Sequence, residues 1–155
     1  MNAKKILFPT DFSTTANEAL NFAAMLAKET KAKLLIVHVA ELPVVYGAGE
    51  MYYGLPEPDT ASLNRMLHEV IPTHPAVLHE HRMLSGDPAT EITAFAEAEN
   101  VDLIVMSTHG RAGFSRALMG SVAEVVVRRA TCPVLTLKAK QPAPTRVQTT
   151  GDLTS

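Results

Sequence analysis

Residues 107–121 read STHGRAGFSRALMGS. Three glycines, a histidine, two arginines and several hydroxyls precede the next helix, with few apolar anchors before Leu118. They follow DLIVM (102–106), an apolar run suited to burial. Residue types of this kind can cradle a phosphate. Gly110 admits backbone conformations that other residues avoid and removes a side chain where an anion must approach. Arg111 adds a positive group. Ser121-Val122-Ala123-Glu124 has the spacing of a reciprocal cap, Ser121 accepting from the amide of Glu124 and Glu124 reaching back to that of Ser121. The helix then starts at Val122, and its unpaired amides and positive dipole end favour an anion beside Gly120 and Ser121. The plainer reading is a long turn and a cap with no ligand. The glycines match neither G-x-x-x-x-G-K-[ST] nor G-x-G-x-x-G.

Other reactive side chains are scattered. Protonated His109 can pair with a phosphate, or bond to its own loop backbone. His79-Glu80-His81 places two imidazoles on one strand face, a start for a zinc site with no evident third ligand; a partly solvated strand face explains it as well. Asp11 reads as a turn residue beside a helix cap. His38 reads as structural. Cys132, before Pro133, reads as an inert small residue.

Four apolar runs, one alternating segment and four helical segments must position these groups. The strands are expected at 4–10, 33–39, 77–86, 102–106 and 134–138. Val77, His79, His81 and Met83 lie on one side of the third, with Leu78 and Leu84 on the other. Helices are expected at 13–30, 59–71, from Asp87-Pro88 to about Asn100, and at 122–130. Ser13, Thr14 or Thr15 can cap the first, and Thr15 with Glu18 has the capping spacing. Leu20, Ala23, Ala24 and Ala27 share one of its faces, and Leu63, Met66, Leu67 and Val70 share one on the second. Asp87 caps the third and Pro88 fixes its first turn.

The order βαβαβαβαβ implies an open, mainly parallel sheet with helices on both faces, a three-layer α/β fold. Continuous apolar strands agree, since they are buried on both sides. Ligands in such sheets sit beyond the carboxyl ends of the strands where strand order reverses. That nominates Pro9-Thr10-Asp11, Val39-Ala40 and Ser107 to Ser121.

The 155 residues suit one domain, 1–139, and 46% are apolar, enough for a core. Residues 140–155 read as a disordered tail. Residues 40–58, rich in proline, glycine and tyrosine, read as a loop that is a lid, a contact surface or a mobile insertion. A net charge of −2 gives no sign of a nucleic-acid partner. No run reaches the roughly 20 apolar residues of a membrane span. The N-terminus lacks a signal-peptide core and there is a single cysteine, so a cytoplasmic location is expected.

Ser107, two residues, Gly110, nine residues, then Gly120-Ser121 resembles the universal stress protein signature G-x2-G-x9-G-[ST]. ILFPTDFS, LLIVHV, SGDPATEI, VDLIVMSTHGR and GSVAEVVVRRATCPVLTLK are similar to that family as well, in order across residues 3–138. The resemblance implies a Rossmann-like five-stranded sheet of order 3-2-1-4-5 and a homodimer formed through the last strand, Val134 to Lys138. It implies binding of an adenine nucleotide, ATP or AMP, in a stress response. Pro9, Thr10 and Asp11 would lie by the nucleoside, Val39 by the adenine edge, and Met106 and Ser107 by the ribose or α-phosphate. His109, Gly110, Arg111, Gly120, Ser121 and Val122 would surround the phosphates, with Mg²⁺ possible at Asp11. Ser107 departs from the signature, standing where the family has its first glycine. The segment holds no lysine and no nucleophile–base pair, so little or no catalysis is expected, at most slow ATP hydrolysis. The alternative is a nucleotide-free dimeric interaction module of the same fold.

Overall fold

The computed structural model describes residues 2–41, 59–109 and 119–138. The expected loop beyond Glu41, the signature residues Gly110 and Arg111, and the tail from residue 139 lie outside the described residues. The elements are β1 (Lys5–Pro9), α1 (Thr14–Thr30), β2 (Lys33–Ala40), α2 (Thr60–Glu69), β3 (His79–Ser85), α3 (Pro88–Ala98), β4 (Leu103–Ser107), α4 (Ser121–Arg129) and β5 (Val134–Leu137). One parallel sheet has the order β3-β2-β1-β4-β5, as the resemblance implies.

Strand alternation builds two cores. Ile6, Phe8, Leu34, Ile36 and Val105 face α1 and Leu67 of α2. Leu7, Leu35, Val37, Ile104 and Met106 face α3 and α4. The alanine face of α1 lets that helix approach the sheet closely, and Leu20, Ala23, Ala24 and Ala27 are all buried. On α2 only part of the expected face is used: Leu67 is fully buried, whereas Met66 is 39% exposed.

The pairing is uneven. β1 pairs with β2 over five positions, Lys5 to Pro9, and β2 with β3 over seven. β1 and β4 share only Ile6↔Leu103 and Leu7↔Ile104. Below that contact Asp102 Oδ2 accepts from the amides of Lys4 and Lys5, at 2.8 and 2.9 Å. Above it, Thr10 N–H stays with Val37 O of β2 and Thr108 N–H with Leu137 O of β5. The two halves of the sheet therefore part at their carboxyl ends.

Of the three candidates for the α1 cap, Ser13 is the one used, accepting from Ala16 N at 3.2 Å. The Thr15 hydroxyl is taken by His109 O at 2.9 Å. For α4 the cap is Gly120, with no side-chain cap bond, and Ser121 is already helical. The cause is Gly120 N–H, which donates to Thr108 O at 2.6 Å and fixes the chain one residue earlier than expected. Glu124 turns to Arg128 Nη2 instead of reaching back. Asp87 caps α3 as expected, accepting from Thr90 N, and Pro88 opens the helix. Asp59 caps α2 in the same way through Ser62 N.

His79 and His81 share a strand face, their rings 5.3 Å apart. His81 Nε2 donates to Val70 O at 2.8 Å, tying the β3 edge to α2. Among the described residues no group of three or more His, Cys, Asp or Glu is placed to hold a metal ion. Cys132 packs against the α3–α4 core, and burial pushes its thiol up from the ordinary value.

Candidate functional site

The sheet parts between β1 and β4, where strand order reverses, and a cavity of about 320 Å³ occupies the fork. Pro9, Thr10 and Asp11 line it from the end of β1, Val39 from the end of β2, and Met106 and Ser107 from the end of β4. Gly120, Ser121 and Val122 line it from the start of α4. His109 is not on its wall, and Gly110 and Arg111 are outside the described residues.

Thr10 is buried, and its Oγ1 accepts from Phe12 N at 3.1 Å. Asp11 Oδ1 accepts from Ser13 N at 3.0 Å. The turn between them carries Phe12 at φ 64°, a left-handed conformation that L residues adopt at a cost. The Phe12 ring stacks on His38, centroids 4.3 Å apart. His38 Nδ1 is 2.7 Å from Thr10 O. A carbonyl only accepts, so Nδ1 carries the proton there. His38 also lines the cavity, a place its reading as a structural residue did not give it. The available signal was one polar residue inside an apolar strand. Pro88 and Ile92 of α3 form a further apolar wall that the sequence reading missed. Asp87, capping that helix, is held below the usual carboxylate range, first by the Thr90 hydroxyl and then by the Thr90 amide.

On the opposite wall, the Ser107 hydroxyl donates to His109 O at 2.9 Å, so it folds back into its own chain. Thr108 is buried, with Oγ1 2.9 Å from His109 Nδ1. His109 Nε2 is buried, with no hydrogen-bond partner among the described residues. Gly120 is required by proximity: a Cβ there would stand 2.9 Å from Thr108 O. Its own φ of −58° is open to any residue.

The start of α4 gives the site its polarity. The first intrahelical bond runs from Glu124 N to Gly120 O. The amides of Ser121, Val122 and Ala123 precede it, in the first turn, where helix geometry provides no intrahelical acceptor. All three residues line the cavity. Donors at the positive end of a helix dipole attract an anion. Apolar surface from Val39, Ile92, Met106 and Val122 lies beside them, and Asp11 and Glu41 supply carboxylates. A flat apolar group joined to an anion is complementary to such a surface.

An open parallel sheet with its cavity at the strand-order reversal, walled by a helix N-terminus, defines a Rossmann-like α/β protein. The universal stress protein family profile matches residues 2–138, and the chain belongs to that family. It is 38% identical over 140 residues to universal stress protein MJ0531 of Methanocaldococcus jannaschii, covering 87% of this chain and 82% of that one. The solved structure of MJ0577 from the same organism superposes with TM-score 0.67 at 27% identity, covering 92% of this chain and 100% of that one. A universal stress protein from Archaeoglobus fulgidus, solved in complex with dAMP, shares the fold with TM-score 0.59 at 23% identity, covering 88% and 98%.

Proposed function

We propose that the cavity binds an adenine nucleotide, ATP or AMP, and that the protein acts through the bound state in a stress response. The observation that carries this reading is the row of first-turn α4 amides at Ser121, Val122 and Ala123, set in one cavity with Thr10, Asp11, Val39 and Met106. The dAMP held by the Archaeoglobus fulgidus relative supports it. Val39 presents its backbone to the adenine edge, and Pro9 shapes the turn that places Thr10 and Asp11 by the nucleoside. Met106 and Ser107 lie by the ribose or α-phosphate. Gly120, Ser121 and Val122 receive the phosphates, and the signature assigns Gly110 and Arg111 to them as well, with His109 behind the wall. The carboxylate of Asp11 suits a Mg²⁺ carried in by the phosphates.

Residues 107–121 hold no lysine, and rapid phosphoryl transfer needs both electrostatic clamping and a positioned nucleophile, so we assign the site to binding with little or no catalysis. No described helix is long and apolar enough to cross a membrane. We assign the protein to the cytoplasm and the dimer contact to β5, the half-exposed edge strand whose open side a twofold mate would cover.

The test is mass spectrometry of small molecules released from the purified protein, then calorimetric titration with ATP, ADP and AMP, with and without Mg²⁺. Copurified nucleotide or micromolar affinity is expected. No nucleotide and no heat with any of the three would overturn the reading and leave a nucleotide-free interaction module. Asp11→Asn should weaken binding in Mg²⁺; unchanged binding would remove Asp11 from its role.

A further inference from the structure

We propose that Thr15 is a positioning residue for this site, acting with Ser107 to fix the His109 carbonyl and, through it, the place of the α4 amides. His109 O receives two hydroxyl donors, Thr15 Oγ1 from α1 and Ser107 Oγ from β4, both at 2.9 Å. The direction of the chain of bonds behind Thr15 is determined by chemistry. A carbonyl cannot donate, so the one Thr15 hydroxyl proton goes to His109 O. Ser13 Oγ, 3.0 Å from Thr15 Oγ1, must then donate to Thr15 while accepting from Ala16 N. The run Ala16 N–H to Ser13 to Thr15 to His109 O is thus one aligned series, in which each bond polarises the next.

This series spans the fork, from the helix that follows β1 to the exit of β4. The neighbouring residue, Thr108, is held on two sides, donating to Leu137 O and accepting from Gly120 N. Gly120 begins the turn that aims the first-turn amides of α4. Pinning His109 therefore limits how far the Ser107–Thr108 wall and the Gly120–Ser121 wall can move relative to one another. Thr15 gives up the cap its sequence spacing suggested and serves this contact instead. A glycine at position 107, as in the family signature, has no hydroxyl to donate. Ser107 adds a second fastening in this chain while keeping its hydroxyl out of the ligand's way. Less ordering is then left to be done when a ligand arrives, which strengthens binding.

The effect on affinity rests on the nucleotide reading, so the test has two readouts on the full chain. One is the hydrogen-exchange rate of the Gly120 amide without ligand. The other is the calorimetric dissociation constant for AMP and ATP. Thr15→Val keeps the branched shape and removes the donor, while Thr15→Ser keeps the donor. Thr15→Val should speed Gly120 exchange about threefold to tenfold and weaken nucleotide binding by a similar factor, the scale of one lost hydrogen bond. Thr15→Ser should restore both, and Ser107→Ala should act in the same direction as Thr15→Val. Should Thr15→Val fail to fold, Ser107→Ala alone decides the matter. Unchanged Gly120 exchange, unchanged affinity with faster exchange, or a Thr15→Ser protein that behaves like Thr15→Val would each overturn the proposal. A wild-type protein that takes no nucleotide defeats the nucleotide reading alone, and Gly120 exchange still tests the fastening.

Discussion

Gly120→Ala perturbs the site by one methyl group. The added Cβ would stand 2.9 Å from Thr108 O, where ordinary contact begins at 3.4 Å. Roughly half an ångström must be found. The flexible end of a side chain could yield it, but the clashing atom is a backbone oxygen, and it is already bonded to Gly120 N at 2.6 Å. Backbone torsion does not contribute, because φ −58° and ψ 153° suit alanine. The whole effect is therefore steric. Overpacking of this kind destabilises by about 1–3 kcal/mol, which lowers the melting temperature of a domain this size by roughly 3–10 °C. The start of α4 must shift to relieve the contact, so the amides of Ser121 and Val122 leave their alignment. Nucleotide affinity should fall at least about tenfold, the equivalent of ~1.4 kcal/mol. Thermal unfolding and calorimetric titration of the same sample read both quantities, and Gly120→Val should be worse in each. A Gly120→Ala protein that melts and binds as the wild type does would show that the junction is not tight, and the account of the α4 start would be wrong.

Other outcomes follow from residues away from the cavity. The Lys5 and Lys4 amides hold the Asp102 carboxyl below its ordinary range. A depressed carboxyl contributes stability above its unfolded pKa of about 3.9, and this is lost as pH falls through the lower folded value. Stability should drop below about pH 4, and Asp102→Asn should flatten that slope in urea unfolding; an unaltered slope would exclude Asp102 as a source. Leu67→Ala empties a fully buried position under α2 and should lose about 2–5 kcal/mol by chemical denaturation. Because no α2 residue lines the cavity, its nucleotide affinity should match the wild type, and a parallel loss of binding would contradict the separation of the two regions.

Much of the frame was legible because its causes are local. Uninterrupted apolar runs gave four of the strands and alternation gave β3, while Asp87-Pro88 gave the start of α3. The strand-order rule then nominated Pro9 to Asp11, Val39 and Ser107 at one end of the sheet, and the family resemblance added Met106. The misread positions have distant partners. Thr15 fits a cap by spacing, but its hydroxyl bonds 94 residues away at His109. Ser121 fits a capping box, but Gly120 is captured first by Thr108 O, across the whole signature loop. His38 is an isolated polar residue in a strand until the chain brings Thr10 O to its ring, 28 residues distant. Pro88 and Ile92 are ordinary helix residues in sequence, and become cavity wall only because α3 packs against β2 and α4.

The brief pairing of β1 with β4 has a mechanical consequence. Two paired positions and the Asp102 carboxylate clamp the base of a tuning fork whose prongs are the β2–β1 and β4–β5 halves. Flexing the prongs changes the width of the mouth while the clamp stays shut, so gape and durability answer to different residues. An engineer could stiffen the stem at Asp102 without touching selectivity, or retune the mouth at Thr15 and Ser107 while leaving the stem intact.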